Sequence, residues 1–217
     1  MLRPLTEQEF SRNLLRFSPP ELSPEAIGRL SIHYEELRRW ADTVALIGPG
    51  AVEELFERHY VESLVALPWL PAPASSPARL VDLGSGAGFP GWILAAVRPD
   101  LDVTLVEARE RKWAFLATAA RRARLSCRCL NARVSEHLSP EIPDRIQTVT
   151  VRALRLDART WSALLPRMLP GAQVLIWSGE VVEAPPAPWI AGRTMTLSGS
   201  RRYLREFLLP TLPTTPL

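Results

Sequence analysis

Glycine recurs at every second position across Gly84-Ser85-Gly86-Ala87-Gly88, directly after the apolar run Leu80-Val81-Asp82-Leu83. Such a backbone turns tightly and lets a ligand come close, because glycine carries no Cβ. The turn stands between a buried-strand pattern and the helix-like stretch Trp92 to Arg98. There it suits a nucleotide-like ligand lying over strand ends and a helix N-terminus. A second run, Val103-Thr104-Leu105-Val106, finishes in Glu107, 23 positions after Gly84. A carboxylate at that strand tip can accept both hydroxyls of a ribose. Two plainer readings fit the same residues: a tight turn that binds nothing, and a glutamate solvated at a strand end.

The spacing separates this turn from the dinucleotide fingerprint G-x-G-x-x-G, whose helix-opening glycines serve a pyrophosphate. Here the glycines alternate, and the bulky Phe89 and Pro90 that follow leave little room for one. The turn resembles that of the nucleoside-dependent methyltransferases, whose donor is S-adenosylmethionine. That resemblance implies that Gly84, Gly86, Gly88 and Phe89 form the donor cradle. It also implies that Asp82 holds the turn and bonds near the methionine end of the donor.

Composition narrows the class. A chain of 217 residues, 47% of them apolar, can build one large core or a core with a small appendage. No apolar run approaches the roughly twenty residues that span a bilayer, and Met1 to Glu7 lacks the apolar centre of a signal peptide. Cys127 and Cys129, two apart in a strand-like stretch, should face the same way and are too sparse for a disulfide framework. A monomeric, cytoplasmic protein is the expectation. Charge is divided along the chain: seven Arg oppose eleven Asp and Glu before residue 76, and the remainder carries 19 Lys and Arg against 12 acids. Arg109, Arg111, Lys112, Arg121, Arg122, Arg124, Arg128 and Arg133 fall within 25 residues. Such a region can meet phosphates and stack on bases. A solvated helix face in an arginine-biased chain, with Lys112 its only lysine, accounts for it equally well.

The elements that must position these groups follow from periodicity. Residues 1–70 read as a helical extension, with Glu25 to Trp40 and Ala51 to Leu67 as helices parted by Gly48-Pro49-Gly50. Residues 71–78 form a proline-rich connector, and residues 79–217 alternate strands and helices. A helix is expected over Arg109 to Ala123 with Trp113, Phe115 and Leu116 inward, then strands at Cys127–Leu130 and Ile146–Val151. Asp157 caps a helix reaching Met168, its last turn loosened by Pro166. A strand at Val174–Trp177 follows, and two more at Arg193–Leu197 and Tyr203–Leu208 are too close for anything but an antiparallel hairpin. The fold expected is α/β: a Rossmann-like class I methyltransferase sheet, mostly parallel, with a C-terminal antiparallel hairpin.

The longer run VDLGSGAGFPGWILAAVRPDLDVTLVEARERKWAFL resembles the bacterial small-subunit (16S) ribosomal RNA guanine-N7 methyltransferases, the glucose-inhibited division protein B family. Gly88-Phe89-Pro90-Gly91 is its most specific element. Arg111-Lys112 with Phe115-Leu116 matches the family's basic pair and apolar anchor, Arg58-His59-Tyr60-Val61-Glu62-Ser63 its R-H-x-x-D-S, and Val151-Arg152-Ala153 its S-R-A. The resemblance implies that Glu107 binds the donor ribose, that Val134 and Ser135 flank its adenine, and that Arg152 sits where donor and RNA meet. His59, Ser63, Arg109, Arg111 and Lys112 would edge the RNA side of the cleft. The chain departs from the pattern at Ala45, Ile47, Glu62, Ser135 and Ser178, mostly losing polar groups on that side.

The missing motifs agree with this target. Amine methylation usually employs an N/D-P-P-Y turn after the fourth strand, where Val151-Arg152-Ala153-Leu154 stands, and C5 methylation needs a loop cysteine. Guanine N7 has a lone pair and no proton to lose, so it asks for orientation more than for a base. Two rivals stay open: a methyltransferase of this fold for a small molecule or protein, and an RNA-binding ribosome-assembly factor that has lost turnover.

Overall fold

The computed structural model describes residues 2–48, 54–135, 137–179, 184–197 and 201–211. Seven strands form one sheet in the order β3-β2-β1-β4-β5-β7-β6. The first five are β1 (Ala78–Leu83), β2 (Leu101–Glu107), β3 (Cys127–Asn131), β4 (Ile146–Arg152) and β5 (Met168–Ser178), all parallel to one another. The last two, β6 (Ile190–Thr196) and β7 (Tyr203–Leu208), pair antiparallel, and β7 lies antiparallel to β5. This is the mostly parallel sheet with an antiparallel hairpin that the sequence predicts; the Ser198-Gly199-Ser200 connector lies outside the described residues.

Three of the helices begin where a side chain serves their orphan N–H groups. Thr6 caps α1 (Glu7–Leu15) in a reciprocal box with Glu9, Ser23 caps α2 (Pro24–Trp40) with Pro24 in its first turn, and Asp157 caps α6 (Ala158–Leu164) through the Thr160 N–H. One face of the sheet is covered by α1, α2, α4 (Gly91–Val97) and α5 (Glu110–Arg122), whose Phe10, Leu30, Trp92 and Phe115 share a core with Leu80, Leu105, Leu175 and Trp177. The other face packs Val81, Val106, Val149 and Ile176 beneath Trp161 of α6 and Trp189. Residues near the N-terminus therefore bury their apolar faces in the same core as the strands.

Several expected boundaries move. Between 54 and 69 the chain is not one regular helix: Leu55–Val61 is a π-helix, Glu62–Leu64 a single α-turn (α3) and Leu67–Trp69 a 3-10 turn around Pro68. Proline has no N–H to continue an α ladder, and π segments tend to mark functional sites. Residues 49–53, including Pro49-Gly50 and the start of the expected helix, lie outside the described residues. The helix expected to reach Met168 stops at Leu164, because Pro166 shifts Leu165–Arg167 into a 3-10 turn and Met168 already opens β5. Trp113 does not point fully inward: half-buried, it donates its indole N–H to the Cys129 carbonyl at 3.0 Å, over edge strand β3. Among the described residues no helix is long and apolar enough to cross a membrane.

Candidate methyl-donor and RNA site

The C-terminal ends of the parallel strands meet at the glycine turn, where a doubly wound sheet places ligands. After β1 the chain folds back on β2: the N–H groups of Gly84 and Ser85 both donate to the Val106 carbonyl, at 2.9 and 3.0 Å. Gly84, Gly86 and Gly88 all adopt positive φ, at 73°, 55° and 90°, which side-chain-bearing residues rarely do. Glu107 closes the turn from the tip of β2. One carboxylate oxygen accepts the Gly86 N–H and the other the Arg109 N–H, both at 2.8 Å. A carboxylate oxygen has two lone pairs, so each keeps capacity for a ligand hydroxyl.

This cradle floors an open cavity of about 560 Å³, in the size range of small-molecule sites. Its walls include Gly84, Gly86, Phe89, Glu107, Arg109, Lys112, Val134 and, opposite, His59 and Arg152. Nine of the residues singled out in the sequence thus converge on one cavity. Apolar Leu46, Ile47 and Leu154 and the cation Arg133 also line it, although none of them was assigned a role in the site from the sequence. Arg133 belongs to the basic run, but nothing in its own neighbours distinguishes it there.

Five of the expected residues do not line the cavity. Asp82 is buried beneath the turn, accepts the Thr150 hydroxyl at 2.6 Å, and packs so tightly on Gly91 that a Cβ there would lie 2.3 Å from its own Cβ. It anchors the start of α4; burial pushes its carboxyl up to about 6, against the hydrogen bonds from Thr150 and Ser85. Gly88 faces inward, where a Cβ would come within 2.8 Å of the Trp92 Cβ. Ser63 is fully buried and donates to the His59 carbonyl at 2.6 Å, the usual back-bond of a helical serine. Ser135 is occupied in a local turn with His137. Arg111 is solvent-exposed on α5.

Beside the cavity, cation and carboxylate are arranged around Glu62. Buried Glu62 meets Arg152 from the end of β4 at 3.0 Å and Arg202, just before β7, at 2.8 Å, while the Trp177 indole donates to its backbone carbonyl at 2.6 Å. Arg152 also donates to the Arg58 carbonyl. Burial raises the Glu62 carboxyl, and the guanidinium groups pull it back. His59 rests against the Phe89 ring with centroids 4.9 Å apart. Burial and then the charges of Arg152, Arg58 and Arg202 lower its pKa to about 3, so the imidazole is neutral at pH 7.

The family model described as rRNA small subunit methyltransferase G (GidB) matches residues 26–185. The chain is 36% identical to the ribosomal RNA small subunit methyltransferase G of Paramagnetospirillum magneticum over 162 residues, 75% of either protein. Its likeness to the protein of the same name from Myxococcus xanthus is 35% over 182 residues, 82% of each. The chain belongs to this family. Among solved structures, a SAM-dependent methyltransferase from Aquifex aeolicus superposes with a TM-score of 0.55 at 15% identity, covering 75% of this chain and 99% of that one. A putative Escherichia coli methyltransferase, yhhF, gives 0.55 at 17%, covering 68% and 85%. These two likenesses are of fold, and they agree with the Rossmann-like sheet.

In this member of the family one residue that supports the donor turn carries no motif. His33 of α2 is completely buried, 2.9 Å from the Ala87 carbonyl through Nε2 and 2.8 Å from the Tyr60 hydroxyl through Nδ1. The carbonyl requires Nε2 to be the donor, so Nδ1 accepts from Tyr60. The ring fastens the glycine turn to α2 and to the π-helix. Burial lowers its pKa to about 4, against an ordinary 6.5. The unfolded chain therefore takes up a proton between those values that the folded chain refuses. This contribution to stability is intact above pH 6.5 and is lost as pH falls toward 4. His59 acts in the same direction, whereas Asp82, raised to about 6, acts in the opposite one. Going from pH 7 to 5, His33→Gln should lose less unfolding free energy than the wild type, by roughly 2 kcal/mol. Denaturant titrations at the two pH values check this, and equal losses would contradict it.

Proposed function

We propose that this protein transfers a methyl group from S-adenosylmethionine to N7 of a guanine in 16S ribosomal RNA. The observation that carries the reading is the convergence of the Glu107-closed glycine cradle and the Arg152–His59 wall on a single open cavity. The residues present fit the donor. Glu107 offers both carboxylate oxygens to a ribose, Gly84 and Gly86 leave room for a close approach, Phe89 packs beneath the turn, and Val134 supplies an apolar wall for the adenine. When bound there, the donor supplies an electrophilic methyl on a positively charged sulfur.

The chain's own residues then have to seat and orient the base. Guanine N7 needs no proton removed, so the wall is read for positioning and charge rather than for a base. Arg152 is fixed by Glu62 and the Arg58 carbonyl. Neutral His59 offers a flat ring beside Phe89 without adding a charge that would repel the cationic product. Arg109, Lys112 and Arg133 at the rim suit RNA phosphates. The cavity is open and cationic, which favours RNA over the closed apolar pocket that a small-molecule acceptor would require. A monomer acting in the cytoplasm is part of the proposal; Leu15, Phe17 and Ile190 are the exposed large apolar side chains among the described residues, too scattered for an obligate interface.

The test is to incubate purified protein with methyl-labelled donor and a mixture of small ribosomal subunits, free 16S RNA and soluble protein. Label recovered as 7-methylguanosine in 16S RNA is expected. Label in protein or small molecules supports the first rival, and RNA binding without transfer supports the second.

A further inference from the structure

Eight cations and a single acid, Glu110, lie between residues 109 and 133. Elsewhere many cations are neutralised: Arg38 and Arg39 pair with Glu35, Arg98 with Asp100, Arg167 with Asp144 and Arg193 with Glu206. Within the basic stretch only Arg122 forms an ion pair among the described residues, with Glu36. Arg121, Arg124 and Arg128 are exposed and have no such partner. An unpaired charge concentration of one sign is what a polyanion would complement.

The topology gives these three arginines a direction. α5 starts beside Glu107 at the cavity and ends at Arg122, so it runs away from the site. β3 runs parallel to β2 and pairs Asn131 with Glu107, so it returns toward the cavity along the outermost edge of the sheet. Arg121 and Arg124 therefore stand at the far end of this edge and Arg128 lies on the strand. Arg133 follows the strand's end, at the cavity rim with Arg109 and Lys112. Thirteen helical residues cover about 20 Å and five strand residues about 16 Å, enough for several consecutive phosphates. Cys127 and Cys129 alternate with Arg128 and pack toward the core under α5, which directs Arg128 to the opposite face.

We infer that the α5–β3 edge, through Arg121, Arg124 and Arg128, is a docking track for the RNA phosphate backbone leading into the cavity. This rests on the RNA reading of the function. The track acts on affinity, remote from donor and reacting base. Its three side chains are solvated, and replacing them removes no packing.

The experiment compares the wild type with Arg121→Gln/Arg124→Gln/Arg128→Gln and with a control, Arg3→Gln/Arg12→Gln/Arg16→Gln, which removes three exposed arginines at the N-terminal end. Binding of 16S RNA transcripts is measured between 50 and 200 mM salt, and methyl transfer at one salt concentration. Three lost phosphate contacts should flatten the slope of log affinity against log salt by about 2 and weaken binding about tenfold. The RNA KM should rise in parallel, with kcat and donor affinity within twofold of wild type and the control unchanged. Unchanged slope and affinity in the track variant, or an equal loss in the control, would overturn the inference. Absence of transfer by the wild type would instead reject the functional reading, and the binding titration would still decide the track.

Discussion

Replacing Glu107 with alanine is expected to weaken S-adenosylmethionine binding between about tenfold and 150-fold, since a hydrogen bond to a charged group contributes about 1.5–3 kcal/mol. Two effects combine. The variant removes the only carboxylate that lines the cavity among the described residues, and with it the proposed acceptors for the ribose hydroxyls. It also releases the Gly86 and Arg109 N–H groups that the side chain holds at 2.8 Å, so the cradle loses its closure. Glu107→Gln retains one acceptor oxygen and should fall between alanine and wild type. Calorimetry with the donor or its demethylated product measures this directly. An unchanged affinity in Glu107→Ala would remove the ribose assignment.

The second large effect is expected at Arg152. Arg152→Ala should lower kcat about a hundredfold, the scale seen when one preorganised donor is removed from a reacting centre, with donor affinity nearly unchanged. Glu62 sets its position, so Glu62→Gln should lower kcat in the same way and to a smaller degree. The two substitutions should not add: if Glu62 acts through Arg152, Glu62→Gln on the Arg152→Ala background changes kcat little. Because Glu62 is buried and Arg152 half-buried, a folding defect is separated by thermal melts and by donor binding, which positioning alone does not move. Additive losses in the cycle would show that Glu62 acts independently of Arg152.

The donor half of the site was more legible in the sequence than the RNA half, for a physical reason. A donor cradle is built from consecutive residues, and positive φ at Gly84 and Gly86 with an acid at the next strand tip leaves a local pattern that spacing alone reveals. The wall proposed to face RNA and the support of the turn are assembled across long separations: Arg152 and Glu62 are 90 residues apart, and His33 reaches the turn from 54 residues away. Neither His33 nor Arg202 has a local pattern that sets it apart. Residues drawn from a motif rather than from geometry fared unevenly for the same reason. Ser63 and Asp82 belong to the site's foundations, while their neighbours His59 and Gly84 face the cavity. The mostly parallel sheet and its antiparallel hairpin followed from alternation and hairpin spacing. The π-helix at Leu55–Val61 did not, since its periodicity differs little from that of an α-helix over seven residues.

The central claim, methylation of guanine N7 in 16S RNA, is tested most directly by borohydride reduction and aniline cleavage of that RNA from cells with and without an intact gene. N7-methylguanine is the base this chemistry opens to strand scission. One cleavage product present in the wild type should be absent from the deletion strain and should return with the wild-type gene but not with Glu107→Ala. Identical cleavage patterns in wild type and deletion would contradict the account.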